Sequence, residues 1–232
     1  MTILTTLGFP LITFIFFGLL LKELKSAVTA TSWNTEKKKK VIQRIMIGLV
    51  VWAIIITIAS SSGFSGKFQL FPINIVPFVV VPLIIVLLLL FHKDTHSVLS
   101  KMNLKVLTQL QVFRVFVEIV LWLLFIQNLL PLQMTFEGRN FDIIAGITSL
   151  LAAQFFLNSR GWMIAWNSLG LGLLINIVSI AILSMPTSLR VFENEPASTI
   201  VTQFPFIFLP TFLVPLAYIL HFLSLKKLLM KS

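Results

Sequence analysis

Apolar residues in this chain gather into seven long runs, 3–21, 45–60, 72–91, 106–127, 141–158, 162–184 and 204–223, parted by short polar or charged stretches. A helix that crosses a bilayer needs about 20 mostly apolar residues, so each run reads as one spanning helix. The second and fifth runs are short, which leaves them little tilt. No basic stretch precedes the first run, and Lys22 and Lys25 follow it. That is the pattern of an anchor rather than of a cleaved signal peptide.

Composition closes off the other classes. Hydrophobic side chains make up 57% of the 232 residues and charged ones only 11%, with a mean hydropathy of +1.00. Soluble domains carry roughly a quarter charged residues, so a chain this size has too few to coat a water-facing surface. The absence of cysteine removes disulfides, thiolate chemistry and Cys-ligated metals. The expectation is an all-α polytopic membrane protein, with residues 1–232 forming a single transmembrane domain.

The net charge of +10 matters through its distribution. Lys22, Lys25, Lys37, Lys38, Lys39, Lys40 and Arg44 lie between the first two runs. Lys93, Lys101 and Lys105 follow the third, Arg160 follows the fifth, and Lys226, Lys227 and Lys231 end the chain. These fourteen fall on one side of the membrane, against Lys67, Arg139 and Arg190 on the other. Cytoplasmic loops collect Lys and Arg, which places the N-terminus outside and the C-terminus in the cytoplasm. The tract 37–40 is a topology anchor and a natural contact for anionic lipid. No soluble domain displays the basic residues, so nucleic acid is not an expected partner.

An internal repeat gives the architecture. Residues 71–83 read FPINIVPFVVVPL and residues 204–216 read FPFIFLPTFLVPL, and the two copies hold six of the ten prolines. Pro72, Pro77 and Pro82 match Pro205, Pro210 and Pro215 without a gap, and Lys93 matches Lys226 in the same register. The pattern predicts seven transmembrane helices in a 3+1+3 arrangement of parallel repeats. Residues 1–100 form the first three-helix repeat, 101–130 the linker helix and 131–232 the second repeat.

That plan resembles, in topology, the PQ-loop sugar transporters and the retinal-binding opsins. The motifs of both are missing. There is no Pro-Gln dipeptide, and the seventh run holds no lysine for a Schiff base to retinal.

Three groups of residues are candidates for chemistry. A proline inside a helix displaces the carbonyl four residues earlier. Pro77, Pro82, Pro210 and Pro215 would therefore free the carbonyls of Ile73, Phe78, Phe206 and Thr211, making either fixed kinks or hinges. Gln111, Arg114 and Glu118 share one face of the fourth run, and ionisable residues at such depth are costly enough to suggest function. With Asn167 and Asn176 of the sixth run they form the candidate substrate or coupling site, although the nine-residue spacing puts the two asparagines on opposite faces. Glu137, Arg139 and Asp142 form a candidate outer gate, with helix capping the plainer role for Asp142. His92 and His96 have an i, i+4 spacing without a third ligand, and no metal site or cofactor is assigned.

The expected function is a small-solute transporter or permease with its path between the repeats, in the plasma membrane (bacterial inner membrane). The alternative is a seven-helix receptor, sensor or accessory protein. Neither paired catalytic carboxylates nor a histidine cluster suggests an enzyme. A reporter fused to the C-terminus is expected to be active in the cytoplasm; activity only outside would reverse every loop assignment.

Overall fold

The computed structural model describes residues 2–230; Lys231, counted in the basic tail, lies outside the described residues. The chain is 76% helical, with no strand among the described residues. Among the described residues, five helices are long and apolar enough to cross a membrane. They are α1 (Ile3–Thr29), α2 (Thr35–Ser61), the broken helix α5–α6 (Leu104–Leu110 and Phe113–Ile126), α8 (Arg160–Leu183), and α9 (Val214–Leu229) with its π-helical start Leu209–Leu213. A sixth results if α3 (Val76–Phe91) and α4 (Lys93–Lys101), which meet at 85°, are one broken span.

Two of the seven expected spans come out shorter than their apolar runs. At 1.5 Å per residue the 16 residues of α3 reach about 24 Å, less than a hydrocarbon core of about 30 Å. The chain ahead of α3 is held in turns, with Asn74 buried and donating to the Ser65 carbonyl at 2.9 Å. The fifth run forms only α7 (Asp142–Leu151) and a π-helical turn, Ala152–Phe156. Within residues 127–141, alternate parts of the chain turn back against the bundle while others stay exposed. Leu130, Met134, Thr135 and Asn140 are all buried there, and the turns are closed by Thr135 N–H on the Leu132 carbonyl at 2.9 Å and Asn140 N–H on the Thr135 carbonyl at 3.2 Å. A Cβ at Gly138 would sit 2.8 Å from the Gln133 Cα, so only glycine allows this fold-back. α7 consequently begins inside the bundle.

The core lies between α1, α6 and α9. Phe9, Ile12 and Phe16 of α1 meet Phe113, Val117 and Leu121 of α6, and Leu213, Leu216 and Leu220 close the other side. Phe16 and Phe113 have ring centroids 5.6 Å apart. α2 stands at the edge with Met46, Ile47, Val50, Ile54 and Ile58 exposed. So large a bare apolar surface suits hydrocarbon and not water.

Helix α4 lies across one end of the bundle. It turns Val98 and Leu99 inward and Lys93 and His96 outward, as helices at a membrane interface do. The lysine-bearing segments tie this end together. Lys37 pairs with Asp94 at 2.7 Å, Lys227 donates to the Leu99 carbonyl at 2.9 Å, and Glu23 accepts the Asn103 N–H at 2.6 Å. At the other end Arg190 pairs with Glu195 at 2.8 Å. That bond, with the Ala197 N–H, holds the Glu195 carboxyl below its ordinary range.

Of the four candidate hinge prolines, Pro77 is corrected by position. It is the second residue of α3, where no helical carbonyl four residues back exists to be displaced. Pro210 likewise occupies the second position of the π-helical segment. Pro82 lies inside α3. Pro215 marks the change from π to α geometry, and the carbonyl four residues before it, of Thr211, accepts the Trp52 indole N–H at 3.1 Å.

A close helix approach in the core makes a test. A Cβ at Gly8 of α1 would lie 2.6 Å from Cγ2 of Val120 on α6, and a β-branched side chain has little freedom to yield. Gly8→Ala is expected to cost about 1–3 kcal/mol by overpacking, read as a lower thermal midpoint in detergent. Adding Val120→Ala should restore part of the loss.

Candidate functional site

One charged side chain organises the interior. Arg114 sits in the first turn of α6 and is 1% exposed. Its Nε donates to Asp142 Oδ2 at 2.6 Å while Nη2 donates to Asp142 Oδ1, a two-point pair with the start of α7. Nη2 also reaches the Gly170 carbonyl at 3.2 Å, and Nη1 reaches His221 Nε2 at 2.9 Å. Guanidinium can only donate, so Nε2 of His221 is the acceptor and the ring proton is on Nδ1. That proton goes to Asn167 Oδ1 at 2.9 Å, and Asn167 Nδ2 donates in turn to the Met163 carbonyl at 2.8 Å. Helices α6, α7, α8 and α9 are thus joined by one bonded chain.

Glycines make the approach possible. A Cβ on Gly170 would fall 2.6 Å from His221 Nε2, and one on Gly146 of α7 would fall 2.9 Å from the Val115 backbone nitrogen. Any larger residue at either place would separate the donors from their acceptors.

Glu118, one turn along α6, is 1% exposed but does not pair with Arg114 as the shared helix face suggested. Asn140 Nδ2 donates to both of its oxygens at 2.7 Å and to the Met134 carbonyl at 3.1 Å. Asn140 Oδ1 accepts the Asp142 N–H at 3.0 Å, which caps the buried start of α7. Glu118 therefore connects through Asn140 to the same group. Arg114, Glu118 and Asp142, with Leu121, Leu174, Val178 and Leu213 among the apolar residues, line a cavity of about 50 Å³. A single water needs about 10–15 Å³, so only a few small molecules fit.

The structure divides the expected residues differently from the sequence. Asp142 joins Arg114 and not the outer gate. Glu137 and Arg139 remain at the surface, where Glu137 accepts the Trp122 indole N–H at 2.7 Å and Arg139 lies 5.2 Å from the Phe192 ring. Asn167 is in the chain, whereas Asn176 donates to the Arg139 carbonyl at 2.9 Å away from it. Gln111 is buried beside α9 and donates to the Ala217 carbonyl at 3.3 Å. Asn140 and His221 were not among the expected site residues. An asparagine two positions before an aspartate at a helix start was the available signal for the first. For His221 the signal was an imidazole within the apolar run 204–223.

These features describe a helical protein with several helices long and apolar enough to span a membrane and an ionic group buried in its middle. Residues 71–229 match the family described as Domain of unknown function (DUF8737), and the chain belongs to that family. The matched stretch holds both proline copies and all residues of the buried polar chain. No curated protein and no solved structure matches the chain.

Breaking the two-point pair should be costly. Asp142→Asn leaves Arg114 buried without its counter-charge, a change expected to cost about 3–5 kcal/mol, seen as a lower thermal midpoint in detergent. The double change Arg114→Met/Asp142→Leu should recover most of it. Equal losses in the single and double variants would show that the two residues do not act as a pair.

Proposed function

We propose that this protein is a non-enzymatic small-solute transporter or permease of the plasma (bacterial inner) membrane. Its site is the cavity beside Arg114, Glu118 and Asp142. The observation that carries the reading is an ionic network sealed among apolar helices, next to space for a solute. Ionisable groups at such depth are expensive and mark solute or ion pathways in membrane proteins. The half-length helix α7 starting at the site is a second support, because interrupted helices ending at a binding site recur in transporters.

The proposed architecture is the seven-helix 3+1+3 plan, counting α3 and α7 as short spans, with the N-terminus outside. Two features support the repeat. α3 starts at Val76 and the matching helical stretch at Leu209, the same register in the two copies, with a proline second in each. Turns precede both starts. The lysine-bearing end, with the tract 37–40 and α4, would then face the cytoplasm and contact anionic lipid.

One observation favours the second reading, a receptor, sensor or accessory protein. The cavity, at about 50 Å³, is small, with Met134 of the segment 131–141 in its wall.

The chain has no cysteine, which makes the test simple. Val178→Cys and Ala217→Cys place single thiols on the cavity wall, to be challenged with membrane-impermeant reagents from each side of sealed vesicles. A permease should expose them to both sides in turn. Thiols that react from neither side would remove the transport reading.

A further inference from the structure

The bonding capacity left unused around the cavity identifies what can occupy it. Arg114 spends four N–H donors, two on Asp142 and one each on His221 and Gly170, out of the five a guanidinium has. Asp142 is engaged through both oxygens. Glu118 differs from both. A carboxylate offers about four acceptor positions, yet a single amide nitrogen serves both oxygens here. No ion pair reaches Glu118 among the described residues.

Charge points the same way. His221 accepts from Arg114 and so stands neutral, and Arg114 and Asp142 cancel. The positive end of α7 faces Asp142 in its own first turn. No other titratable side chain lines the cavity. Ionised Glu118 therefore leaves one uncompensated negative charge in the wall. An anion would meet that charge and find no open guanidinium fork. An alkali-metal ion would need a cage of oxygens, whereas the rest of the wall is apolar: leucine, valine and isoleucine with Phe113, Met134 and Ala217. A compact cation with its own N–H donors needs only the carboxylate and an apolar seat. The volume of about 50 Å³ sets the size, since drug-sized ligands occupy about 300–1,000 Å³.

We propose that the cavity is a binding site for a small N–H cation of the ammonium or methylammonium class, held on the Glu118 carboxylate. The inference names the solute for the permease reading and rests on it.

Calorimetric titration of the full chain in detergent with methylammonium chloride is the test, with tetramethylammonium, sodium and potassium chlorides in parallel. Saturable binding of methylammonium alone is expected, at least tenfold weaker in Glu118→Gln. Because that change touches the Asn140 bond and could lower folding, Val178→Phe is the second variant. It fills the cavity, leaves the carboxylate in place, and should lose binding to the same degree with its thermal midpoint kept. Absence of saturable methylammonium binding in the unaltered protein overturns the site. So does equal binding of sodium or potassium, or binding undiminished in both variants. Uptake of labelled methylammonium into liposomes is read separately. Binding without uptake keeps the site and removes the permease reading; uptake of another solute without methylammonium binding removes the site and keeps the permease.

Discussion

A guanidinium that is 1% exposed in the middle of an apolar bundle has to be surrounded by acceptors, and much of this structure follows from that requirement. Removing an ion from water costs several kcal/mol even after relaxation. Arg114 can stay only because a carboxylate, a backbone carbonyl and an imidazole nitrogen converge on it from three other helices. Each acceptor sets a condition on its own helix. Asp142 has to arrive at the level of Arg114, so α7 starts inside the bundle and the preceding residues must fold back. Gly170 has to lack a side chain so that its carbonyl and His221 can share the space. The short α7, the partly buried irregular segment before it and the close α8–α9 approach are three consequences of one charge.

The folded-back segment has a constraint of its own. Backbone polar groups inside a membrane protein need internal partners, and residues 127–141 lack a continuous helix to supply them. The segment meets the requirement with turns and with Asn140, whose amide bonds Glu118 and the Met134 carbonyl while its oxygen caps Asp142. One side chain thus completes a loop, a helix end and a buried carboxylate. This is why the candidate site and the least regular part of the fold coincide.

The class of protein was legible in the chain because a spanning helix satisfies its own backbone and needs only an apolar exterior, a local property. The C-terminal end of α1, both ends of α2 and the N-terminal end of α8 lie beyond the apolar runs, because helices continue into polar residues that hydropathy does not register; Asn34, for instance, caps α2 at the Lys37 N–H. Arg114 and Glu118 were visible for the same reason, as charges in apolar surroundings. Their partners were not. Helical spacing offered each to the other, whereas the bonds run to Asp142 and Asn140, 28 and 22 positions away, brought in by a loop whose path depends on Gly138 and on tertiary packing. The same holds for Thr211. The carbonyl that Pro215 displaces follows from local geometry, but its acceptance of the Trp52 indole from 159 positions away does not. Charge and proline placement show where a problem arises; only the assembled bundle shows how it is solved.

The direction of the hydrogen bonds completes the account. Arginine has no acceptor, so its bond to His221 can run one way only. That assigns the imidazole proton to Nδ1, which makes Asn167 present its oxygen, which in turn leaves the Asn167 amide to the Met163 carbonyl within α8. The polarity of three side chains on three helices is fixed by the one that cannot be reversed. A neutral polar residue at position 114 would permit either direction at each link and would hold the helices less specifically. Because the cancelled pair of Arg114 and Asp142 contributes no net charge, the electrostatic character of the cavity falls to Glu118, which no ion pair reaches among the described residues.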